Sequence, residues 1–593
     1  VVKDTEKSYD ALTEYHDPEG NVIDYSYSIR SAIVTMGGRP PQSATTSACL
    51  LSTITFPNGL QTVYSYYGIR VGSLSPTTFR VNCRYDKIGT SVYNTENYDY
   101  NENEDAWNYG AVTVTNSDGV VKTYSFDLKK RVDKIKTTYN EKTIKEEEFA
   151  YGNPPGKIYL GHDDFMKPKV MPTYISTKEY IYSKYKQTVV MCTYDEKNNV
   201  TAEWTAYANG DYLDTEHKTI YTYDDTYSIL TSKTYKTDVD TTVLITNTLD
   251  DECKNILSTT VNVNGSPTQK TEYAYDSHGN IISTSCGYGD NFAEKAITEY
   301  TYDRGAFLLS ETHKGMKNSD NSSISNITTS YTYDSIGNVL STTDGNGSTT
   351  EYTYDKLGNV KTVTNPDDTI VIYDRDYEAN TVTVTDENNN SVKYVYTPLG
   401  QELKSVDVAS GQVMLEKEYD AKLRLISSTD YKYGAETKYT YDESDRVTSE
   451  TVYQDETILS ETRYLYYIKT IDDENYTEVY KIELGEDNPP ELTRNEKSIY
   501  TKEYYDKADN LAAKTFQSKV EQQYRNGVRY VTKEFNDTYT YDYLGRQIKF
   551  LSASDKEKSL DYTEKTEYNE NGKPTTNLND KGSYFDLAPV DLG

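Results

Sequence analysis

Tyrosine and threonine alternate along much of this chain, and Asp-x-x-Gly breaks the alternation at repeated intervals. Tyr331-Thr332-Tyr333-Asp334 recurs as Tyr352-Thr353-Tyr354-Asp355, and Gly337-Asn338-Val339 recurs as Gly358-Asn359-Val360. Alternation with a period of two predicts strands with two different faces. Asp at the first turn position accepts local backbone N–H groups. Gly three residues on suits a turn that ends in a left-handed residue. The predicted unit is therefore a β-hairpin, repeated in tandem.

The left-handed slot is Gly279, Gly545 or Gly89 in other copies, and Asn198, Asp445 or Asp509 in others. These residue types tolerate positive φ. Leu423 and Ala306 depart from the rule, so their turns are expected to differ. A second turn links one hairpin to the next. Asp344-Gly345-Asn346-Gly347 does so here, with Asn116 to Gly119, Asn365 to Asp368 and Pro57-Asn58-Gly59 as equivalents.

This grammar divides the chain into residues 1–190, divergent β-repeats; 191–443, the regular array; 444–500, degenerate hairpins or an insertion; and 501–593, returning repeats without a cap. In the divergent part, Asp17 to Val22 reads as a turn and strand start, and Tyr85-Asp86-Lys87-Ile88-Gly89 as a clear unit. Residues 36–48 read as an irregular loop. Residues 140–148 read as a short helix or a charged strand edge. A degraded copy is placed near Tyr373-Asp374. Between Tyr441 and Tyr505 alternation persists, with a loop at Gly485 to Pro490.

Composition changes the picture in one respect. Hydrophobic content of 35% and net charge −32 lean towards disorder, but 62 Tyr against 11 Phe and 2 Trp argue for strands. Tyrosine is amphipathic and suits a thin sheet better than a thick oily core. No run approaches the length of a membrane-spanning helix, and Val1 at the start is expected to mark a processed or excised piece. The acidic balance disfavours nucleic acid as a partner.

The five cysteines are odd in number and contain no Cys-x-x-Cys, so neither zinc nor a disulfide framework is expected. Cys83 and Cys192 occupy a slot that is Tyr at Tyr273, Tyr300, Tyr331 and Tyr439, and read as small hydrophobes there. The five histidines are scattered, and His278 reads as a solvated turn residue. No nucleophile elbow or phosphate loop occurs. Calcium is the one cofactor considered, on Asp344, Asn346, Asp386 and Asn388, but no twelve-residue calcium loop is met and solvated turn groups fit better. Tyr431-Lys432-Tyr433 reads as part of a cross-strand aromatic ladder.

The recurring residues are Tyr275, Asp276 and Gly279; Tyr302 and Asp303; Tyr333, Asp334, Gly337 and Asn338; Tyr354, Asp355, Gly358 and Asn359; Tyr441 and Asp442; and Tyr541, Asp542 and Gly545. Together they resemble the YD repeat of the RHS family, which includes bacterial polymorphic toxins, the cocoon components of toxin complexes and the teneurins. The resemblance implies an all-β fold: tandem hairpins forming one long antiparallel sheet, spiralled into a hollow shell or part of one. It assigns these residues structural roles and no catalytic, cofactor or metal role.

It further implies a non-enzymatic segment of a large secreted or cell-surface bacterial protein that encapsulates or presents a C-terminal polypeptide. The alternative is an extracellular adhesion or carbohydrate-binding module that meets a cell-surface glycan or protein through its Tyr-rich surface. A carbohydrate-active enzyme needs two facing carboxylates, which no spacing isolates. The family's Asp-Pro-x-Gly-Leu signature does not occur: Asp17-Pro18-Glu19-Gly20 is followed by Asn21 and reads as a turn.

Overall fold

The computed structural model describes all residues except 1, 4–7, 10, 19, 37–41, 71–76, 103–108, 153–170, 208–217, 289–291, 293, 304–306, 316–323, 472–473, 485–498, 507–508, 525–526, 542–545, 552–562, 569–573, 580–583 and 586–593. The described residues hold strands and turns and no α-helix. Each hairpin pairs antiparallel within itself and with its neighbour, so Ile327–Tyr333, Val339–Thr343, Thr349–Tyr354 and Val360–Thr364 form a continuous ladder. Such pairing follows directly from two-faced segments joined by tight turns. The all-β antiparallel expectation therefore holds.

The chain forms two compact units, each built from two stretches distant in sequence. One joins Val1–Glu146 to Ser330–Leu459; the other joins Glu147–Thr329 to Ser460–Gly593. In the first unit the stretches meet at turn tips. Asn58 Nδ2 donates to Asn380 Oδ1 at 3.2 Å and to the Pro398 carbonyl at 3.3 Å, and Lys422 pairs with Asp118. In the second unit Lys186 pairs with Asp509, Asn475 Nδ2 donates to the Tyr185 carbonyl at 3.3 Å, and Tyr182 stacks on Tyr467 at 6.1 Å.

Packing is thin. Among the described residues the largest fully buried side chains are Val189, Thr173 and Ser176, and a buried cluster gathers Tyr174, Val189 and Met191 beside Ala150 and Trp204. Half-buried tyrosines take the place of a thick aliphatic core.

Several local expectations need correction. Residues 42–48 are not loop: Gln42–Thr55 is a strand paired with Val22–Met36. The Gly and Pro residues that suggested a loop reach no further than 41, and small Ser, Ala and Thr are satisfied by the ladder beyond. Residues 140–148 are the strand reading rather than the helix, since Asn140 and Glu141 turn at φ 46° and 65° into Lys142–Ala150. Tyr431-Lys432-Tyr433 lies in an exposed turn rather than a ladder, because Asp430 pairs with Ala435 and closes the hairpin there.

Tyr85 to Gly89 is not a standard unit. Pairing continues to Ile88↔Ser91, so the Asp falls inside the strand. Asp86 is 3% exposed and accepts from Thr62 Oγ1 at 2.8 Å, Arg84 at 3.0 Å and Asn94 Nδ2 at 3.1 Å. It is a buried, fully partnered carboxylate and not a turn cap.

Candidate functional site

The candidate site is the junction between hairpins, and its first component is the capped turn. In the turn at Asp334, the Asp334 N–H donates to the Asn338 carbonyl at 3.0 Å. Oδ1 accepts the N–H groups of Ile336 and Asn338, each at 2.9 Å, and Oδ2 accepts Asn338 Nδ2 at 2.7 Å. Gly337 closes the turn at φ 100°. Asp276 with Asn280, Asp195 with Asn199 and Asp386 with Asn390 repeat the pattern.

Asn four residues after the Asp is thus a second cap, a role its place in the motif did not disclose. Arginine takes its place in other turns. Arg131, Arg424 and Arg446 reach back to Asp127, Asp420 and Asp442 at 2.8, 2.7 and 2.7 Å. At Asp276, Asp334 and Asp386 the capping bonds favour the ionised carboxylate. The Asn280 side chain holds Asp276 below the usual carboxylate range, and Asn390 does the same for Asp386. At Asp334, partial desolvation works upward and is outweighed by the donors of Asn338, so the net direction is again down.

Leu423 corrects an expectation. Its turn does not differ: Leu423 sits at φ 64°, with Leu423 N–H to Asp420 O at 2.9 Å and Asp420 N–H to Arg424 O at 3.0 Å. The Asp420 cap, held by Arg424 Nε, imposes the left-handed conformation on a residue that disfavours it. Asp303 pairs with Phe307 at the end of its strand, while the turn at Ala306 and the residues Asp542 and Gly545 lie outside the described residues.

The second component is a bulge. The ladder shifts register immediately before the second tyrosine at Ala274/Tyr275, Thr301/Tyr302, Thr332/Tyr333, Thr353/Tyr354, Thr440/Tyr441 and Thr540/Tyr541. One extra residue on the return strand, such as Leu340 between Val339 and Ser341, leaves the pairing and increases the local twist. The linking turn at Asp344 has the same turn bonds but no such shift. Here the bulge distinguishes the two ends of the hairpin where the turn bonds do not.

The third component ties hairpin to hairpin. Tyr354 Oη donates to the carbonyl of Val339, the residue opposite Tyr333 in the preceding unit, at 2.7 Å. Tyr302 donates to Ile281 O at 2.9 Å, Tyr441 to Leu425 O at 2.7 Å and Tyr541 to Leu511 O at 2.8 Å. Tyr275 donates to Ile256 O at 2.8 Å. Each hydroxyl satisfies a carbonyl beside a bulge, which explains tyrosine where phenylalanine has equal strand propensity. Burial raises the phenol pKa of Tyr354 and of Tyr441. On the other face, Thr332 meets Ser341 and Thr353 meets Thr362 in cross-strand hydroxyl pairs at 2.7 and 2.6 Å.

The degraded copy shows which part is essential. Its register is set by Asp376, not by Tyr373-Asp374, because Asp374 pairs with Thr383 inside the strand. Arg375 occupies the tying slot and donates to the Val360 carbonyl, opposite Tyr354. Asp376 caps the N–H of Ala379 at 2.9 Å. The tie survives a change from phenol to guanidinium. Tyr377 reaches Asp355 Oδ2 at 2.5 Å, and burial followed by that carboxylate pushes its phenol up to about 12.

Other chemistry is sparse. No group of three or more metal-ligating side chains occurs among the described residues. Asp344 and Asp386, considered for calcium, accept the N–H groups of Asn346 and Ser348 and of Asn388 and Asn390. A cavity of about 170 Å³ is lined by Lys270, Glu272, Ser285, Gly287, Phe292 and Lys295. Its one carboxylate, Glu272, is held by Lys270 at 2.8 Å and Lys295 at 3.1 Å, which lower its pKa. His278 is an exposed turn residue, as expected. Cys83 and Cys192 are half-buried thiols whose pKa values burial raises.

The family model for the RHS Repeat matches residues 333–370, two consecutive junctions from Tyr333 onward. This stretch of the chain carries the RHS repeat. No curated protein matches it in sequence. Among solved structures, it is similar to the Tc holotoxin pore of Photorhabdus luminescens carrying a TccC3 mutation, at 12% identity and a TM-score of 0.42, over 94% of this chain and 30% of that one. It is similar to TcdB2-TccC3 without its hypervariable C-terminal region at 11% identity and a TM-score of 0.37, over 94% of this chain and 32% of that one. The chain thus spans about a third of the length of these structures.

Proposed function

We propose that this RHS-repeat chain is a non-enzymatic wall segment of a large secreted or cell-surface bacterial protein, whose sheet curves into a shell that encloses or presents a polypeptide. The observation that carries the reading is the repeated tie, in which a tyrosine hydroxyl of one hairpin donates to the bulged strand of the previous one. A sheet joined this way grows by adding hairpins, and bulges supply the twist that curvature requires. The thin packing, with few fully buried side chains among the described residues, suits a wall with two accessible faces.

Solution X-ray scattering from the purified chain tests the reading. A hollow or cupped body gives a pair-distance distribution weighted towards long distances, and that is the expected result. A distribution of a solid globule, or of a straight extended ribbon, contradicts it.

A further inference from the structure

The two compact units are closed by different chemistry. In the first, Lys422 of one stretch pairs with Asp118 of the other. Both side chains remain partly open to water, at 20% and 22% exposure. Lys422 also pairs with Asp445 on its own stretch at 2.9 Å, and Arg424 reaches the same carboxylate at 2.7 Å. Lys422 therefore keeps a counterion when Asp118 withdraws. The remaining contacts described at this seam, from Asn58 to Asn380 and Pro398, are neutral hydrogen bonds.

In the second unit the cation is Lys186, only 4% exposed, paired with Asp509 on the opposite stretch. Asp509 itself is 73% exposed, so the burial is on the lysine side. Beside the pair, Tyr182 stacks on Tyr467, Tyr180 packs against Tyr185 at 5.2 Å, and Asn475 holds the Tyr185 carbonyl. Glu179 faces Lys186 across its own ladder. Aromatic contact and a buried ammonium respond weakly to dissolved ions, whereas an open ion pair with a substitute partner responds strongly.

We infer that the molecule has an ordered pair of latches. The seam at Asp118 and Lys422 opens first and reversibly, under ionic strength alone, with the hairpin ladders intact. The seam at Lys186 and Asp509 stays closed under the same conditions. If the chain walls off a polypeptide, the first seam is where the wall parts, but the ordering stands without that reading.

The test is acetylation of the folded chain, read lysine by lysine by mass spectrometry. Raising salt from about 0.01 M to about 1 M shortens the Debye length from about 30 Å to about 3 Å, and Lys422 is expected to react about threefold faster while Lys186 stays protected. Asp118→Asn is expected to give the fast Lys422 rate already at low salt. A disulfide across the seam, from Asn58→Cys with Asn380→Cys, is expected to abolish the salt response of Lys422. Equal acceleration of Lys186, or an undiminished salt response of Lys422 in the cross-linked chain, overturns the inference. The first outcome removes the ordering, and the second reduces the response to screening of a single pair.

Discussion

Two regions of the chain build the same sheet with different visible grammar. In the regular array, strands such as Val339–Thr343 and Thr349–Tyr354 are short and end in Asp-capped turns. In the divergent region, Val22–Met36, Gln42–Thr55 and Leu60–Arg70 run far beyond where such turns would fall. The tie persists regardless. Tyr66 Oη donates to Leu51 O at 2.7 Å, and Leu51 is the residue opposite Tyr27, beside the bulge at Ser26/Tyr27. Tyr27 in turn donates to Leu12 O at 2.8 Å. What recurs in both regions is therefore a long side chain donating to a carbonyl of the preceding hairpin, through Arg375 and without a bulge in the degraded copy, and the capped turn is a replaceable way of ending a hairpin.

This comparison can be strained first with acid. The turn carboxylates Asp276, Asp334, Asp367 and Asp386 all have pKa values lowered in the folded state. Each therefore adds stability that is complete above the unfolded value, about 3.9, and is lost as pH falls through the folded value. The thermal midpoint is expected to be level between about pH 7 and about pH 5 and to fall steeply below about pH 4. Hydrogen exchange at low pH should rise first at turns of the regular array and later in Gln42–Thr55, which has no such cap at its Phe56 end.

The degraded copy gives the next largest effect. Arg375→Ala removes the charged donor to the Val360 carbonyl and is expected to cost about 2 kcal/mol in urea unfolding. Arg375→Tyr is expected to restore most of that loss, since the slot asks for a donor at the end of a long side chain. A smaller gain is expected from Leu423→Gly. Removing the Cβ at φ 64° should stabilise the chain by about 1 kcal/mol, less the extra backbone entropy of glycine.

Much of this was legible in the residues. Alternating Tyr and Thr, with Asp and Gly at fixed offsets, predicts the hairpins and the left-handed slots at Gly337, Gly358 and Gly279. The alternation does not say what a hydroxyl touches, so the tie was hidden: its acceptor is a backbone carbonyl in another repeat, and every residue supplies one. Asp86 shows the converse failure. Its neighbours match the motif, but pairing to Ser91 carries the strand past it, and tertiary contacts with Thr62 and Asn94 decide its role. Leu423 misled for a related reason, because the side chains of Asp420 and Arg424 determine a backbone conformation that its own type disfavours.

The most direct test sets Tyr354→Phe beside Tyr66→Phe and measures the unfolding free energy of each in urea. Each change deletes one hydroxyl and leaves the ring, so each is expected to cost about 1 kcal/mol, the penalty for a carbonyl left without its donor. Equal losses in the two regions are the predicted result. A loss at Tyr354 with none at Tyr66 would show that the capped turn, and not the tie, holds the sheet together.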